Sequence, residues 1–335
     1  MGFEYYIFST IYFIIFMISL CGNSITLIAI TRNKNLHVAV YIFLANQSIS
    51  DILLTIMSLG DYIMFIMKNW VFGDVVCKIC GFLGEIPYAV SILSLTAMAV
   101  ERYLAICHLQ RGARSIMMCI KWCIAIWFVS AVFASPVCYL SEVFAIPHIS
   151  ANITSLEITY TCTSNGNDAI FRCIQFALLF ILPLCVMIFA HSKILITLKR
   201  GSRPVCCRDK RVDIKSENTT HSVGENDTNE FSNEVRNIEA TKARKDQLRN
   251  RKIIKMLVVV TSVFAGLWGP SFINLLVRIT TPIPKIIWWA SGALAFISTT
   301  NNFFIFLKMS PEFKNSCASI FRFKRITSNV QPKVR

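Results

Sequence analysis

Charged residues are scarce in this chain of 335 residues, and acidic residues are the scarcer kind. Only 16% of the residues are charged and 54% are hydrophobic, while Lys and Arg outnumber Asp and Glu by 34 to 19. A soluble domain of this length needs far more polar surface, so the composition indicates a protein of the lipid bilayer. The basic residues lie in short segments between apolar runs, which argues against nucleic-acid binding.

Other features that the sequence lacks narrow its function. No internal repeat is evident, which disfavours transporters built from duplicated halves. No constellation typical of a hydrolase or transferase is present, so we expect no enzymatic activity. The N-terminus has no basic region and no small-residue cleavage site, and the first apolar run is therefore expected to act as its own insertion signal. Most of the thirteen cysteines lie within apolar runs, where a thiol behaves as a small hydrophobe.

Seven apolar runs are each long enough to span a bilayer as a helix, which takes roughly 20 residues. Only five of the 34 basic residues lie on the side that holds the N-terminus, so the positive-inside rule places the N-terminus outside and the C-terminus in the cytoplasm. The prediction is an all-α bundle with a short extracellular N-terminus at 1–4 and a transmembrane domain at 5–308. The predicted helices cover 5–31, 38–66, 75–107, 116–140, 168–198, 252–278 and 284–308.

Three segments outside the spans have features of their own. Residues 199–251 are polar and bounded by basic clusters, which predicts a flexible cytoplasmic loop whose ends extend the flanking helices. Residues 309–335 form the cytoplasmic end, where the stretch after Ser310 fits a short amphipathic eighth helix on the membrane surface, with Cys317 as a palmitoylation candidate. The sequon at Asn152 lies in an outer loop and is the best placed for a glycan.

An ionisable side chain inside a membrane is energetically expensive and is a functional hypothesis by default. Asp51, in the middle of the second apolar run, is the clearest case. We predict a buried polar cluster around it that could bind a sodium ion, the one metal or cofactor that the sequence indicates. The predicted members are Asn23, Asp51, Ser91, Ser298 and Asn302.

The chain contains a set of motifs in order along about 300 residues: Gly22-Asn23, the Leu44-Ala45-Asn46 run leading to Asp51, Glu101-Arg102-Tyr103, Trp127, Pro183, Phe264 with Trp268-Gly269-Pro270, and Phe313. Together these motifs resemble the rhodopsin-like family of G-protein-coupled receptors. The resemblance implies a multi-pass protein of the plasma membrane that acts on heterotrimeric G proteins, with arrestin as a further candidate partner and membrane lipid around it. It also implies an activation switch formed by Glu101, Arg102, Tyr103, Phe264, Trp268, Pro270, Asn302 and Phe306.

The resemblance also implies a disulfide between Cys77 and Cys162, for which Cys80 is the competing partner. Amine receptors of the family carry an Asp where this chain has Gly84, and opsins carry a Lys where it has Phe296. Charged and aromatic residues in the outer half instead suit a neuropeptide-like ligand that carries a cationic side chain. The residues expected to bind it are Asp61, Glu85, Arg172, Gln175, Arg278 and Trp288. The alternating residues from Ser155 to Thr163 fit a loop hairpin, as in peptide receptors of this family. The short N-terminus argues against ligands such as chemokines.

Some positions depart from the family pattern. Asn302-Phe303-Phe304-Ile305-Phe306 lacks the proline and tyrosine of the family's motif, and His191 replaces another tyrosine. Activation is expected to be weaker, differently tuned or pH-sensitive through His191. Alternatives to a peptide receptor are therefore a receptor for a lipid or other small molecule, and a weakly signalling or non-signalling receptor-like protein.

Overall fold

The computed structural model describes residues 3–107, 115–149, 156–166, 168–200, 225–281 and 283–327. Helices α1 to α7 each contain a stretch that is long and apolar enough to cross a membrane, which confirms the predicted bundle. Their bounds are Phe3–Arg32 for α1, Ala39–Met67 for α2, Gly73–Cys107 for α3 and Ile116–Ala134 for α4. A single helical turn at Val137–Leu140 follows α4. Helix α5 comprises Ala169–Phe176, a π-helical segment at Ala177–Ile181 and Leu182–Arg200; α6 covers Glu225–Thr280, α7 Lys285–Met309 and α8 Pro311–Thr327.

Helix α6 differs most from the sequence prediction. It begins at Glu225, whereas the prediction began the span at 252 and expected only the end of the flexible loop at 199–251 to extend it. Residues 225–251 contain four Glu and four Arg, which have high helix propensity, and they can extend a helix that is already nucleated in the bundle. The remainder of that loop, 201–224, lies outside the described residues.

The ends and irregularities of the helices follow from local sequence. Lys68 ends α2 in the left-handed conformation, with φ 52°, and Gly73 begins α3 with φ 77°. Ser115 caps α4 by accepting a hydrogen bond from the Met117 amide. In α5 the π-helical segment ends just before Pro183, which cannot donate the hydrogen bond that Leu179 would accept in a regular α-helix.

Helix α3 lies at the centre of the bundle, packed against α2, α4 and α5. A polar junction joins three of these helices: the Asn46 amide donates to Ser94 Oγ at 2.8 Å, and the Trp127 indole donates to Asn46 Oδ1 at 2.9 Å. The surrounding core is apolar and includes Phe43, Met98 and Phe306, which are fully buried. This packing fixes which face of α3 points toward each neighbour.

An antiparallel hairpin of β1 (Ser141–Ile149) and β2 (Leu156–Ser164) follows α4, in the register Val143 opposite Cys162. It confirms the hairpin expected at Ser155–Thr163. The hairpin is fastened to the α2–α3 connection, where the Trp70 amide donates to the Tyr160 carbonyl at 2.8 Å and the Tyr160 amide donates to Asn69 Oδ1 at 2.7 Å.

Candidate functional site

A disulfide joins Cys77, near the start of α3, to Cys162 of β2, with the two Cα atoms 5.7 Å apart. It confirms the predicted pair, and the competing partner Cys80 is a free thiol. We call this end of the bundle the disulfide end, and the opposite end, where Arg102 lies, the arginine end. Asn152, the predicted glycan site, lies outside the described residues.

Three of the six predicted ligand-binding residues meet directly at the disulfide end. Arg172 Nη1 lies 3.1 Å from Glu85 Oε1, and Gln175 Nε2 donates to Glu85 Oε2 at 2.7 Å. Arg172 Nη1 also donates to Gln175 Oε1 at 2.9 Å. Both carboxylate oxygens of Glu85 on α3 are thus bonded to side chains of α5.

Asp168 is a fourth member of this network that the sequence prediction missed. Arg172 Nε lies 3.0 Å from Asp168 Oδ2, in an i,i+4 arrangement. Burial acts to raise the pKa of the Asp168 carboxyl, but its hydrogen bond and ion pair with Arg172 outweigh burial and leave the pKa below its ordinary 3.8. The four-residue spacing of opposite charges at the start of a helix was the available signal.

The other predicted ligand-binding residues lie in separate contacts. The Arg278 guanidinium lies 5.1 Å from the ring centroid of Trp288, a cation–π contact between α6 and α7. Asp61 of α2 is exposed. Among the described residues, no hydrogen bond or ion pair neutralises Asp61.

An aromatic cluster lies beyond the Glu85 network, on the side toward the middle of the bundle. The Trp268 ring is 4.6 Å from Tyr88 and 6.4 Å from Phe272. Phe180 joins the cluster at 4.8 Å from Phe272 and also contacts the buried Phe264 at 6.0 Å. The cluster therefore connects α3 and α5 to α6 near Pro270. Tyr88, Phe180 and Phe272 were not predicted, because an aromatic residue in an apolar run carries no distinguishing signal.

The polar cluster around Asp51 contains three of its five predicted members. Asp51 is 2% exposed, accepts a hydrogen bond from Ser91 at 3.1 Å, and accepts another from Asn302 at 3.4 Å. Gln47, which was not predicted, donates to Ser91 at 3.3 Å, and its own Oε1 is buried without a hydrogen-bond partner among the described residues.

Asn23 and Ser298 do not bond Asp51 within the described part of the chain. The Asn23 amide donates instead to the carbonyls of Ser19 and Thr299, each at 2.9 Å. It therefore ties α1 to α7, while its Oδ1 is buried without a partner among the described residues. The rotation of a helix about its axis decides whether such a side chain reaches the carboxylate or a neighbouring carbonyl.

At the arginine end, two adjacent residues of the predicted switch, Glu101 and Arg102, form an ion pair. Arg102 Nε donates to Glu101 Oε2, and the Tyr103 ring lies 5.8 Å from Phe189 of α5. His191, 5% exposed, has no hydrogen-bond partner for Nε2 in the described part of the chain. Among the described residues, the guanidinium at the end of α3 is thus held by the adjacent carboxylate.

Phe306, where the family has a tyrosine, is fully buried beside two other aromatic rings. Its ring lies 6.1 Å from Tyr41 and 6.1 Å from Phe313 of α8. The Tyr41 hydroxyl bonds Ser310 Oγ at 2.7 Å, and Ser310 Oγ accepts from the Phe313 amide and so caps α8. Apolar packing and the contact between the hydroxyls of Tyr41 and Ser310 therefore close the junction of α7 and α8.

Cys317, the predicted palmitoylation site, faces the bundle. It is 4% exposed, on the same side of α8 as the fully buried Phe313, and the neighbouring Ser316 donates to the Ala29 carbonyl at 3.0 Å. Burial raises the pKa of the Cys317 thiol to about 11, so little thiolate forms at neutral pH. This placement argues against acylation unless α8 turns outward.

The described residues contain no group of three or more His, Cys, Asp or Glu side chains that could hold a metal ion. The Asp51 cluster is of another kind, a single buried carboxylate flanked by hydroxyl and amide groups. Such oxygen ligands suit a hard cation, and the buried unpartnered oxygens of Gln47 and Asn23 leave further acceptor capacity on the adjoining helices. The residues present therefore fit a sodium ion.

Comparison with known proteins finds a receptor family model and several receptors that are similar to this chain. The family model described as 7 transmembrane receptor (rhodopsin family) matches residues 22–315. The QRFP-like peptide receptor of Branchiostoma floridae is 26% identical over 328 residues, which cover 93% of this chain and 76% of that receptor. The Pyrokinin-1 receptor of Drosophila melanogaster is 23% identical over 352 residues, covering 95% and 80%. The C-X-C chemokine receptor type 1 of Oryctolagus cuniculus is 28% identical over 194 residues, covering 58% and 54%.

Proposed function

The chain belongs to the rhodopsin family of seven-transmembrane receptors, and we propose that it receives a peptide at its disulfide end and activates a heterotrimeric G protein at its arginine end. As a member of this family it is a multi-pass receptor of the plasma membrane and not an enzyme. The family match over residues 22–315 carries the receptor function. Two relatives support a peptide ligand: the QRFP-like peptide receptor and the C-X-C chemokine receptor type 1.

The disulfide end is the outer end in this proposal. Disulfides persist in oxidising compartments, and Cys77–Cys162 holds a hairpin that stands above the bundle. The basic clusters near Arg251 lie toward the other end, as the positive-inside rule requires of the cytoplasmic side. The N-terminus is accordingly outside and α8 is inside.

A peptide suits the outer end because charged and aromatic groups are distributed across several helices there. Asp61 on α2, Glu85 on α3 and Arg278 on α6 are each placed to meet a different polar group of an extended ligand. A small lipid would need an apolar cavity and would leave the unpaired Asp61 carboxylate without a counter-charge. The ligand is therefore expected to carry at least one cation.

Signalling begins with displacement of the aromatic cluster. A ligand that packs above Tyr88 and Trp268 changes the preferred position of α6, and Pro270 lies within α6 where a missing backbone hydrogen bond permits bending. Outward movement of the arginine end of α6 opens a cleft beside α3. Arg102 then leaves its ion pair with Glu101 and contacts the G protein. Its planar guanidinium can donate hydrogen bonds to backbone carbonyls or carboxylates of that partner. Arrestin is a further candidate for the same cleft.

A sodium ion at Asp51 is part of the proposal as a regulator of this motion. Asp51, Ser91 and Asn302 would hold it between α2, α3 and α7. The bound cation would supply the counter-charge that lets Asp51 stay ionised in the bundle. It would thereby stabilise the arrangement in which these three helices are close together.

The test is G-protein activation in cells that express the chain, measured against a library of short amidated peptides. The matched control is Arg102→Ala at equal surface expression, because that change removes the G-protein contact and leaves the outer end intact. A peptide response that disappears in R102A supports the proposal. Silence toward every peptide, together with a response to a lipid library, would overturn the peptide ligand.

A further inference from the structure

Glu85 is already occupied by groups of the receptor itself. Arg172 and Gln175 bond its two carboxylate oxygens at 3.1 and 2.7 Å, and the Arg172 and Glu85 side chains are only 17% and 18% exposed. An incoming guanidinium can therefore bond both oxygens of Glu85 in its forked geometry only by displacing the side chains of Arg172 and Gln175.

Arg172 has a second anionic partner to which it can retreat. Asp168 lies one turn earlier in the same chain and accepts from Nε at 3.0 Å, while Glu85 accepts from Nη1. When Arg172 leaves Glu85 it therefore remains paired on its own helix. A guanidinium that keeps one carboxylate avoids the large desolvation penalty of an unpaired buried charge. The exchange is thus far less unfavourable than breaking an isolated buried ion pair.

The charge of the network indicates which chemical group completes it. Glu85 and Asp168 contribute two negative charges and Arg172 contributes one positive charge, so the network carries a net negative charge. With Arg172 on Asp168 and a ligand cation on Glu85, every charge is paired. The planar guanidinium of an arginine side chain matches this carboxylate best, because it can donate two parallel hydrogen bonds.

The exchange changes how α3 and α5 are connected. Arg172 and Gln175 are the α5 side chains that hold Glu85, and Phe176, the next residue, contacts Phe272 at 5.9 Å. One turn along α3 from Glu85, Tyr88 contacts Trp268 at 4.6 Å. The π-helical segment Ala177–Ile181 follows directly, and such segments often mark functional sites where a helix can change register.

We propose that Arg172 occupies, in the unliganded receptor, the subsite that accepts the guanidinium of an arginine side chain of the ligand. Displacement of Arg172 to Asp168, and of Gln175 from Glu85, then removes this connection between α3 and α5 and favours the active state. This inference rests on the proposed function, because it describes how that ligand acts. A ligand shifts an equilibrium only through its different affinities for the two states. The Glu85 carboxylate supplies this difference, since it is free for the ligand only in the released state.

The experiment uses Arg172→Ala and a small cation that can refill the emptied subsite. Basal nucleotide exchange on the G protein is measured in membranes, and the thermal unfolding of the purified receptor is measured in parallel. R172A is expected to raise basal exchange about five-fold or more over the wild type at matched surface expression. Arg172→Lys keeps the charge but not the forked geometry, and it is expected to give an intermediate increase.

Ethylguanidinium then tests whether the subsite accepts this chemistry. In R172A it is expected to raise the unfolding temperature and to lower basal exchange toward the wild-type level, because it bridges Glu85 of α3 and Asp168 at the start of α5 and so restores the connection that Arg172 makes in the wild type. Ethylurea, which is neutral and of the same shape, is expected to do neither. The double variant E85Q/R172A is the matched control, in which ethylguanidinium should have no effect.

The outcomes separate this inference from the proposed function. Raised basal exchange in R172A together with a selective ethylguanidinium effect supports the displacement even if no peptide in the library activates the wild type. An R172A receptor that unfolds at the same temperature with ethylguanidinium as with ethylurea overturns the guanidinium subsite. A peptide that activates R172A and wild type with the same potency and the same basal exchange overturns the displacement while leaving the peptide-receptor proposal in place.

Discussion

The Tyr88 ring of α3 lies 4.6 Å from the indole of Trp268 on α6, one helical turn from Glu85. This contact joins the charged network of α3 and α5 to the helix that contains Pro270. A change at the outer end that moves Tyr88 must therefore move Trp268 or lose the packing between the two rings.

Removing the Tyr88 ring should uncouple the outer end from α6. Tyr88→Ala leaves a cavity beside Trp268 and Phe272, and truncation of a buried aromatic side chain destabilises a protein by about 3–5 kcal/mol. We expect lower thermal stability of the purified receptor and a reduced maximal G-protein response. Tyr88→Phe keeps the ring and should retain both. Equal loss in the two variants would show that the hydroxyl, not the ring contact, matters.

Substitution of Cys77 should reduce surface expression, whereas substitution of Cys80 should not. Cys77→Ser removes the disulfide to Cys162, and loss of a native disulfide costs about 2–5 kcal/mol. We expect strongly reduced surface expression, measured by flow cytometry on intact cells. Cys80→Ser alters a free thiol and should leave expression close to the wild-type level. Normal expression of C77S would contradict a structural role for this bond.

Sodium sensitivity should depend on Asp51. Basal nucleotide exchange of the wild type is expected to fall when sodium chloride replaces an equal concentration of potassium chloride. Asp51→Asn removes the charge but keeps a polar group that can pair with Ser91 and Asn302, so it should abolish the sodium effect without unfolding the receptor. If D51N responds to sodium as the wild type does, the ion binds elsewhere.

Trp127 should stabilise the junction of α2, α3 and α4. Trp127→Phe removes the hydrogen bond to Asn46 Oδ1, and interhelical hydrogen bonds in membranes contribute about 0.6 kcal/mol on average and up to about 1.7. The expected result is a small decrease in the unfolding temperature in detergent. Phe128→Leu, at a neighbouring position that is 71% exposed, serves as the control and should leave that temperature unchanged.

Restoring a tyrosine at 306 should destabilise the resting arrangement. Phe306 is fully buried between Tyr41 and Phe313, and a buried hydroxyl without a partner costs about 1–3 kcal/mol. Phe306→Tyr is therefore expected to raise basal nucleotide exchange, since movement of α7 would relieve this penalty. Phe304→Tyr, at a position that is 48% exposed, should have no such effect. Unchanged exchange in F306Y would indicate that the site accommodates the hydroxyl.

The sequence by itself determined the seven spans and the presence of the Asp51 cluster, and its resemblance to a known receptor family added the partner of Cys77. A membrane helix needs a run of about 20 apolar residues, and this property can be read from neighbouring residues alone. The disulfide followed from the resemblance to the receptor family, since the cysteines lie 85 residues apart and no local pattern connects them. Burial of a lone carboxylate in an apolar run was equally visible, because charged residues are rare there.

Only the tertiary structure decided which side chains meet between helices. Glu85 and Arg172 were both predicted to face the ligand, yet they bond each other, and Asn23 reaches Thr299 rather than Asp51. Cys317 likewise faces the bundle because of how α8 packs beside Phe313. These outcomes depend on the rotation of each helix about its axis, and in α5 the π-helical segment alters that rotation midway. Packing between distant segments sets the rotation, and it leaves no mark in any short stretch of sequence.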